Sequence, residues 1–218
     1  MWLNFGSLAL VNAKQIIERA DLDALLLRLS QLKEPVASLI EHRSQKSPDF
    51  IIEVGGERIG VETTRSVYQE YVRALKLQAR DCANSWVNLT HLVDHTRRRS
   101  TSEIRGSMLS GLLAPWKRVD QSMMEWEKKI GASLLAKRRT LNGRSYEVFR
   151  KNWLLIHDTP GLPDYPEHFA LACQHLGQLL SKSPPFSRDF DSVYVHSNLF
   201  LFRWMAGALD YSYNRHEG

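Results

Sequence analysis

The chain has 218 residues, 43% hydrophobic and 24% charged, ordinary values for one soluble globular domain with enough length to bury a core. Its two cysteines, Cys82 and Cys173, lie far apart and outside any C-x-x-C pattern, which argues against a disulfide framework or a cysteine zinc site and makes a reducing cytoplasm the expected location. The net charge of +5 is mild, the opening MWLNFGSLALVNAK has no basic leader, and no eighteen uncharged apolar residues follow one another, so neither secretion nor a membrane partner is expected.

In chain order, LDALLLRL and VASLIEHR carry apolar residues at helical spacing and predict a helix over about 21–45, kinked at Pro35. PDFIIEV and ERIGVETT are short, β-branched and separated by Gly55-Gly56, which predicts a hairpin with a two-residue turn. From Ser66 the pattern turns helical to about Arg99, and residues 103–141 read as further helices broken by Gly106, Gly111 and Pro115. Residues 66–151 therefore read as a helical insertion in a single domain spanning 1–218. After it, NWLLIHD (152–158) fits a buried strand, FALACQHLGQLL (169–180) an amphipathic helix, and FDSVYVHSNLFLFRW (190–204) one or two strands. This order predicts an α/β or α+β domain, a mixed central sheet flanked by helices.

Charge is unevenly placed: residues 95–151 hold fourteen Lys and Arg against five Asp and Glu. The clusters Arg97-Arg98-Arg99 and Lys137-Arg138-Arg139 either neutralise the phosphates of a nucleic acid or form a solvated helical surface.

The hairpin poses the sharpest question. With Gly55 and Gly56 in the loop, facing residues have numbers summing to 111, so Asp49 faces Glu62. Phe50, Ile52, Val54, Ile59 and Val61 share a core face, and Asp49, Glu53, Arg58, Glu62 and Thr64 share the other. Two acids directly opposite repel. Either a divalent cation compensates, since Mg2+ uses one or two carboxylates and keeps waters for phosphate and nucleophile, or both acids sit at a sheet edge in water.

PDF, a hairpin and then an acid in an apolar strand resemble the PD-(D/E)XK nuclease superfamily, over about 21–80 and more loosely over 152–204. The resemblance implies a restriction-endonuclease-like core and a Mg2+- or Mn2+-dependent nuclease acting on nucleic acid, DNA first, with a protein partner or a homodimer as further options. Small stand-alone nucleases of this kind often belong to mobile-element or phage-defence systems. Carried over, Asp49 and Glu62 are the metal carboxylates and Glu41 a third acid from the leading helix. The family lysine is replaced by Thr64, which holds a water but carries no charge. Gln69, Arg73, Lys76 and Arg80 form a polar helical stripe, and Lys76 is the first substitute, with Lys46 and Arg65 as others. The missing lysine also permits a degenerate nuclease fold that binds nucleic acid or serves assembly. His91 and His95 have helical metal spacing without the glutamate of H-E-x-x-H, and Pro163-Asp164 sits in loop composition. No P-loop or G-x-S-x-G is present.

Overall fold

The computed structural model describes residues 5–31, 37–43, 47–67, 69–81, 99–110, 119–159, 166–182, 187–196, 200–205 and 208–213. Gly55 and Gly56 organise the first half of its sheet. Both have positive φ, 58° and 82°, which suits the tight turn of a hairpin and which residues with a Cβ rarely adopt. The strands it joins, β2 (Phe50–Val54) and β3 (Glu57–Val67), pair antiparallel from Val54 opposite Glu57 to Phe50 opposite Val61. That is the predicted register. Phe50, Ile52, Ile59 and Val61 are buried together on one face, as the alternation requires.

The segment before the hairpin differs from expectation. Helix α1 (Phe5–Gln31) ends before Pro35, and Ala37–His42 is a strand, β1, antiparallel to β2. The outer edge of β2 presents unpaired backbone groups, and β1 satisfies them. ASLIEH fits this place because Leu39 packs towards the core while Ile40 is 46% exposed. Helix α1 places Leu22, Leu25 and Leu29, at spacings of three and four, on the apolar face of the hairpin.

Beyond β3 the sheet continues with β4 (Lys151–Thr159) and β5 (Ser192–His196), each parallel to its predecessor, then β6 (Phe200–Met205) and β7 (Ala208–Tyr213), both antiparallel. The order across the sheet is the order in sequence, β1 to β7. Strand β7 lies beyond the last strand predicted. The mixed α/β class expected from the sequence is what the chain adopts.

Helices α4 (Val119–Leu141) and α5 (Pro166–Lys182) cover the face opposite α1. Trp126, Ile130 and Leu134 of α4 meet Leu154, Ile156, Val193 and Val195 of the sheet. With helices on both faces, the central strands are buried on both sides and read as apolar runs. Helices α2 (Gln69–Asp81) and α3 (Thr101–Ser110) bury a small core of their own, Ala74, Leu77, Ile104 and Met108. The stretch read as a helical insertion starts inside β3, is helical over most of its described length, and its last helix, α4, is a full layer of the main core. Lys46, His91, His95, Arg97, Arg98 and the Pro163-Asp164 loop lie outside the described residues.

Candidate functional site

Asp49 sits one residue before β2, where the ladder to β3 has ended. Its side chain takes over from the backbone: Oδ2 accepts from the Thr63 amide at 2.8 Å and from Thr63 Oγ1 at 3.0 Å. Its own carbonyl accepts from the Arg43 amide at 2.7 Å. Asp49 is thus tied at both ends, and its carboxylate stays 13% exposed.

Glu62 follows on the face covered by α4 and is 2% exposed. Its Oε1 accepts from Lys137 Nζ at 2.6 Å, and the same ammonium lies 4.0 Å from Asp49 Oδ2. The two acids and one lysine therefore converge. Glu62 Oε2 is shut off from solvent and has no hydrogen-bond partner. Burial pushes the Glu62 carboxyl above the usual carboxylate range, with the Lys137 charge opposing and the Asp49 charge adding to the rise.

Lys137 reaches this place because of α4's periodicity. Met123, Trp126, Ile130, Leu134 and Leu141 are buried along one stripe, and position 137 falls on the same stripe between 134 and 141. A lysine at an inward-facing position was the sequence signal for this residue, and it was read instead as part of a phosphate-binding run. Lys76, the substitute expected from α2, is exposed and makes no described contact with the acids. Thr64, at the family lysine position, is half-buried, and it is Thr63 that binds Asp49. Glu41 is exposed on β1 with Arg43 Nε 3.5 Å from its Oε1, so it does not join the acids as a third ligand from a helix. Arg65 also points away: it clasps Asp21 of α1 at 2.7 and 2.9 Å.

The proposed nucleic-acid-binding arginines divide. Arg99 is buried against Glu70 at 2.5 Å, and Arg138, 2% exposed, clasps Asp189 at 2.6 and 2.8 Å. Both are spent inside the fold and neutralise no phosphate there. Arg139 is exposed, two residues from Lys137.

The loop after α4 closes the site's other side. Tyr146 is 6% exposed, and its hydroxyl is shut off from solvent without a partner. Its amide bonds Gly143, while the Glu147 amide donates to Ser47 two residues before Asp49 at 3.1 Å, and Arg43 Nη2 meets Glu147 at 2.7 Å. Burial raises the phenol's pKa, and the charges of Glu62 and Asp49 raise it further, so the hydroxyl keeps its proton at any ordinary pH. No sequence pattern singled it out.

Two more buried polar groups flank the centre. Under α4, Asp158 accepts from Trp126 Nε1 at 2.7 Å and is paired with Lys129. On the α1 face, Arg65, His157 and His196 stand side by side on β3, β4 and β5, with Asp21 Oδ1 3.2 Å from His157 Nδ1. Burial lowers both histidines, and His196 falls to about 4.

Among the described residues, no group of three or more His, Cys, Asp or Glu side chains stands ready to hold a metal, and no helix is long and apolar enough to cross a membrane. No family model matches the chain, and comparison with curated proteins and with solved structures gives no match.

Proposed function

We propose that the chain is a metal-dependent nuclease of PD-(D/E)XK type, with Asp49 and Glu62 as metal carboxylates and Lys137, from α4, in the role of the absent motif lysine. The observation that carries this reading is the convergence of Lys137 Nζ on Glu62 at 2.6 Å and on Asp49 at 4.0 Å. The donor set fits Mg2+ or Mn2+. Two carboxylates are the protein share such ions usually take, and the unpartnered Glu62 Oε2 beside Asp49 is the kind of orphaned oxygen a cation satisfies. Bound there, the ion would supply Lewis-acid activation of a water and neutralise phosphate charge.

The chain's own groups do the rest. Lys137 places a full positive charge where Thr64 has none, able to stabilise a hydroxide or the added charge of a pentacovalent phosphate. Thr63 fixes the Asp49 carboxylate by two hydrogen bonds, so its free oxygen is aimed before anything binds. Exposed Arg139 offers a phosphate contact near the centre. The proposed substrate is a nucleic acid, DNA first, and the proposed location is the cytoplasm.

A degenerate, non-cutting module is the second reading, favoured by the closed Lys137–Glu62 pair, which leaves the acids partly neutralised without metal. Melting curves and cleavage assays with Mg2+ and Mn2+ separate the two. A ligand at a hundred times its dissociation constant adds about 2.7 kcal/mol, so metal should raise the melting temperature, and Asp49→Asn should abolish the rise. A nuclease should also cut DNA or RNA, lose cutting in Asp49→Asn, Glu62→Gln and Lys137→Met, and keep it in Lys76→Ala. A metal-dependent rise without cutting of any substrate establishes the module; neither effect removes the metal reading.

A further inference from the structure

Glu62 presents two carboxylate oxygens to very different surroundings. Oε1 is held by Lys137, and Oε2 has no donor although it is shut off from solvent. A buried acceptor left alone is costly, and native folds rarely leave one without a reason. Donors that could serve it are few. Ser66 Oγ is also buried and unpartnered on this face, but four residues along a strand place it on the order of 13 Å away. The Arg43 guanidinium meets Glu147 through Nη2, while its Nε, 3.5 Å from Glu41, and its Nη1 are buried without a hydrogen-bond partner.

The Tyr146 hydroxyl is the other candidate, itself buried and with no partner at all, whereas Arg43 already has Glu147. Its loop is pinned beside Asp49 by the Glu147–Ser47 and Arg43–Glu147 contacts. The two carboxylates are near enough to bear on its ionisation, Glu62 more than Asp49. An orphaned donor and an orphaned acceptor are thus buried around the same centre.

Building on the metal reading above, we propose that Tyr146 is a positioning residue for the Asp49–Glu62 centre: its hydroxyl, directly or through one trapped water, donates to Glu62 Oε2 and aims that oxygen at the cation. A carboxylate oxygen has two lone pairs, so one accepts from the phenol while the other faces the ion. Groups that orient a metal ligand in this way commonly carry ten- to a hundredfold of metal affinity, by about that order.

The experiment compares wild type with Tyr146→Phe, which keeps the ring and its packing. Mn2+ affinity is measured by calorimetric titration at neutral pH, and melting temperature is measured without metal. The expected result is Mn2+ affinity lower by about ten- to a hundredfold and a metal-free melting temperature equal to or above that of wild type. The last follows because the variant deletes a buried unsatisfied hydroxyl. Unchanged Mn2+ affinity would overturn the proposal, and a lower metal-free melting temperature with unchanged affinity would make Tyr146 a packing residue only. Wild type that binds no Mn2+ at all would overturn this role together with the metal centre, whereas a wild type that binds and an unaffected variant overturn the role alone.

Discussion

Glu62 sits in a place that disfavours its charge. Because its folded pKa is raised above 4.5, the folded chain holds a proton on Glu62 more tightly than the unfolded chain does. Its contribution to stability is therefore present below 4.5 and lost as pH rises through the raised value. A neutral isostere escapes that loss, and replacing a buried charge by a neutral group is often neutral or stabilising when the partner can re-pair. Lys137 can, since Asp49 lies 4.0 Å away. Glu62→Gln should leave the metal-free protein as stable as wild type or more stable at neutral pH, read from urea melts. A loss of more than about 2 kcal/mol would show instead that the Lys137 pair outweighs burial.

At the level of elements, the hairpin was legible because turn chemistry and period-two alternation are local rules. Gly55-Gly56 fixed the register, and the register put Asp49 beside Glu62. Glu41 was misplaced for the opposite reason: VASLIEHR has helical spacing in isolation, and only the unpaired edge of β2 makes it a strand. The inward position of Lys137 on α4 was readable locally, but its partners, and Tyr146 altogether, were beyond any local rule, since the contacts that define them cross 75 residues in one case and depend on the 143–147 loop's docking onto Ser47 in the other. Packing at Gly60 gives a check on this arrangement. A Cβ there would stand 2.8 Å from Phe149 and 2.9 Å from Pro48, closer than side chains tolerate, and Pro48 is rigid. Gly60→Ala should cost about 1–3 kcal/mol through overpacking and weaken metal binding too, because Pro48 and Phe149 adjoin Asp49 and the Tyr146 loop. Wild-type stability in calorimetry would show that the 48–49 segment yields.

Over the whole molecule, the row of Arg65, His157 and His196 makes the fold sensitive to acid. The groups facing the two histidines are Asp21 and Arg28 of α1, Arg65, Asp158 and Lys129, yet burial dominates and lowers both. A histidine whose folded pKa is about 4 against an ordinary 6.5 takes up its proton earlier in the unfolded chain. Stability is full above 6.5 and is lost as pH falls towards 4, by roughly 3 kcal/mol for His196 alone. The Glu62 contribution has the opposite sign and offsets part of this. Urea midpoints from pH 7 to 4 should fall in wild type and fall less in His196→Phe; parallel slopes would place the acid sensitivity elsewhere.

The separation of 75 positions from Glu62 to Lys137 also sets an order in time. A ribosome adds about 5–20 residues each second, so the acids of the hairpin leave the exit tunnel roughly 4–15 seconds before the lysine that completes them. Throughout that interval the nascent chain carries two carboxylates that repel one another without the lysine that faces them. Helix α4 then supplies the core layer and the lysine in the same docking event. On the proposed nuclease reading, a product that ends before α4 has both acids and lacks the lysine, and stays unarmed.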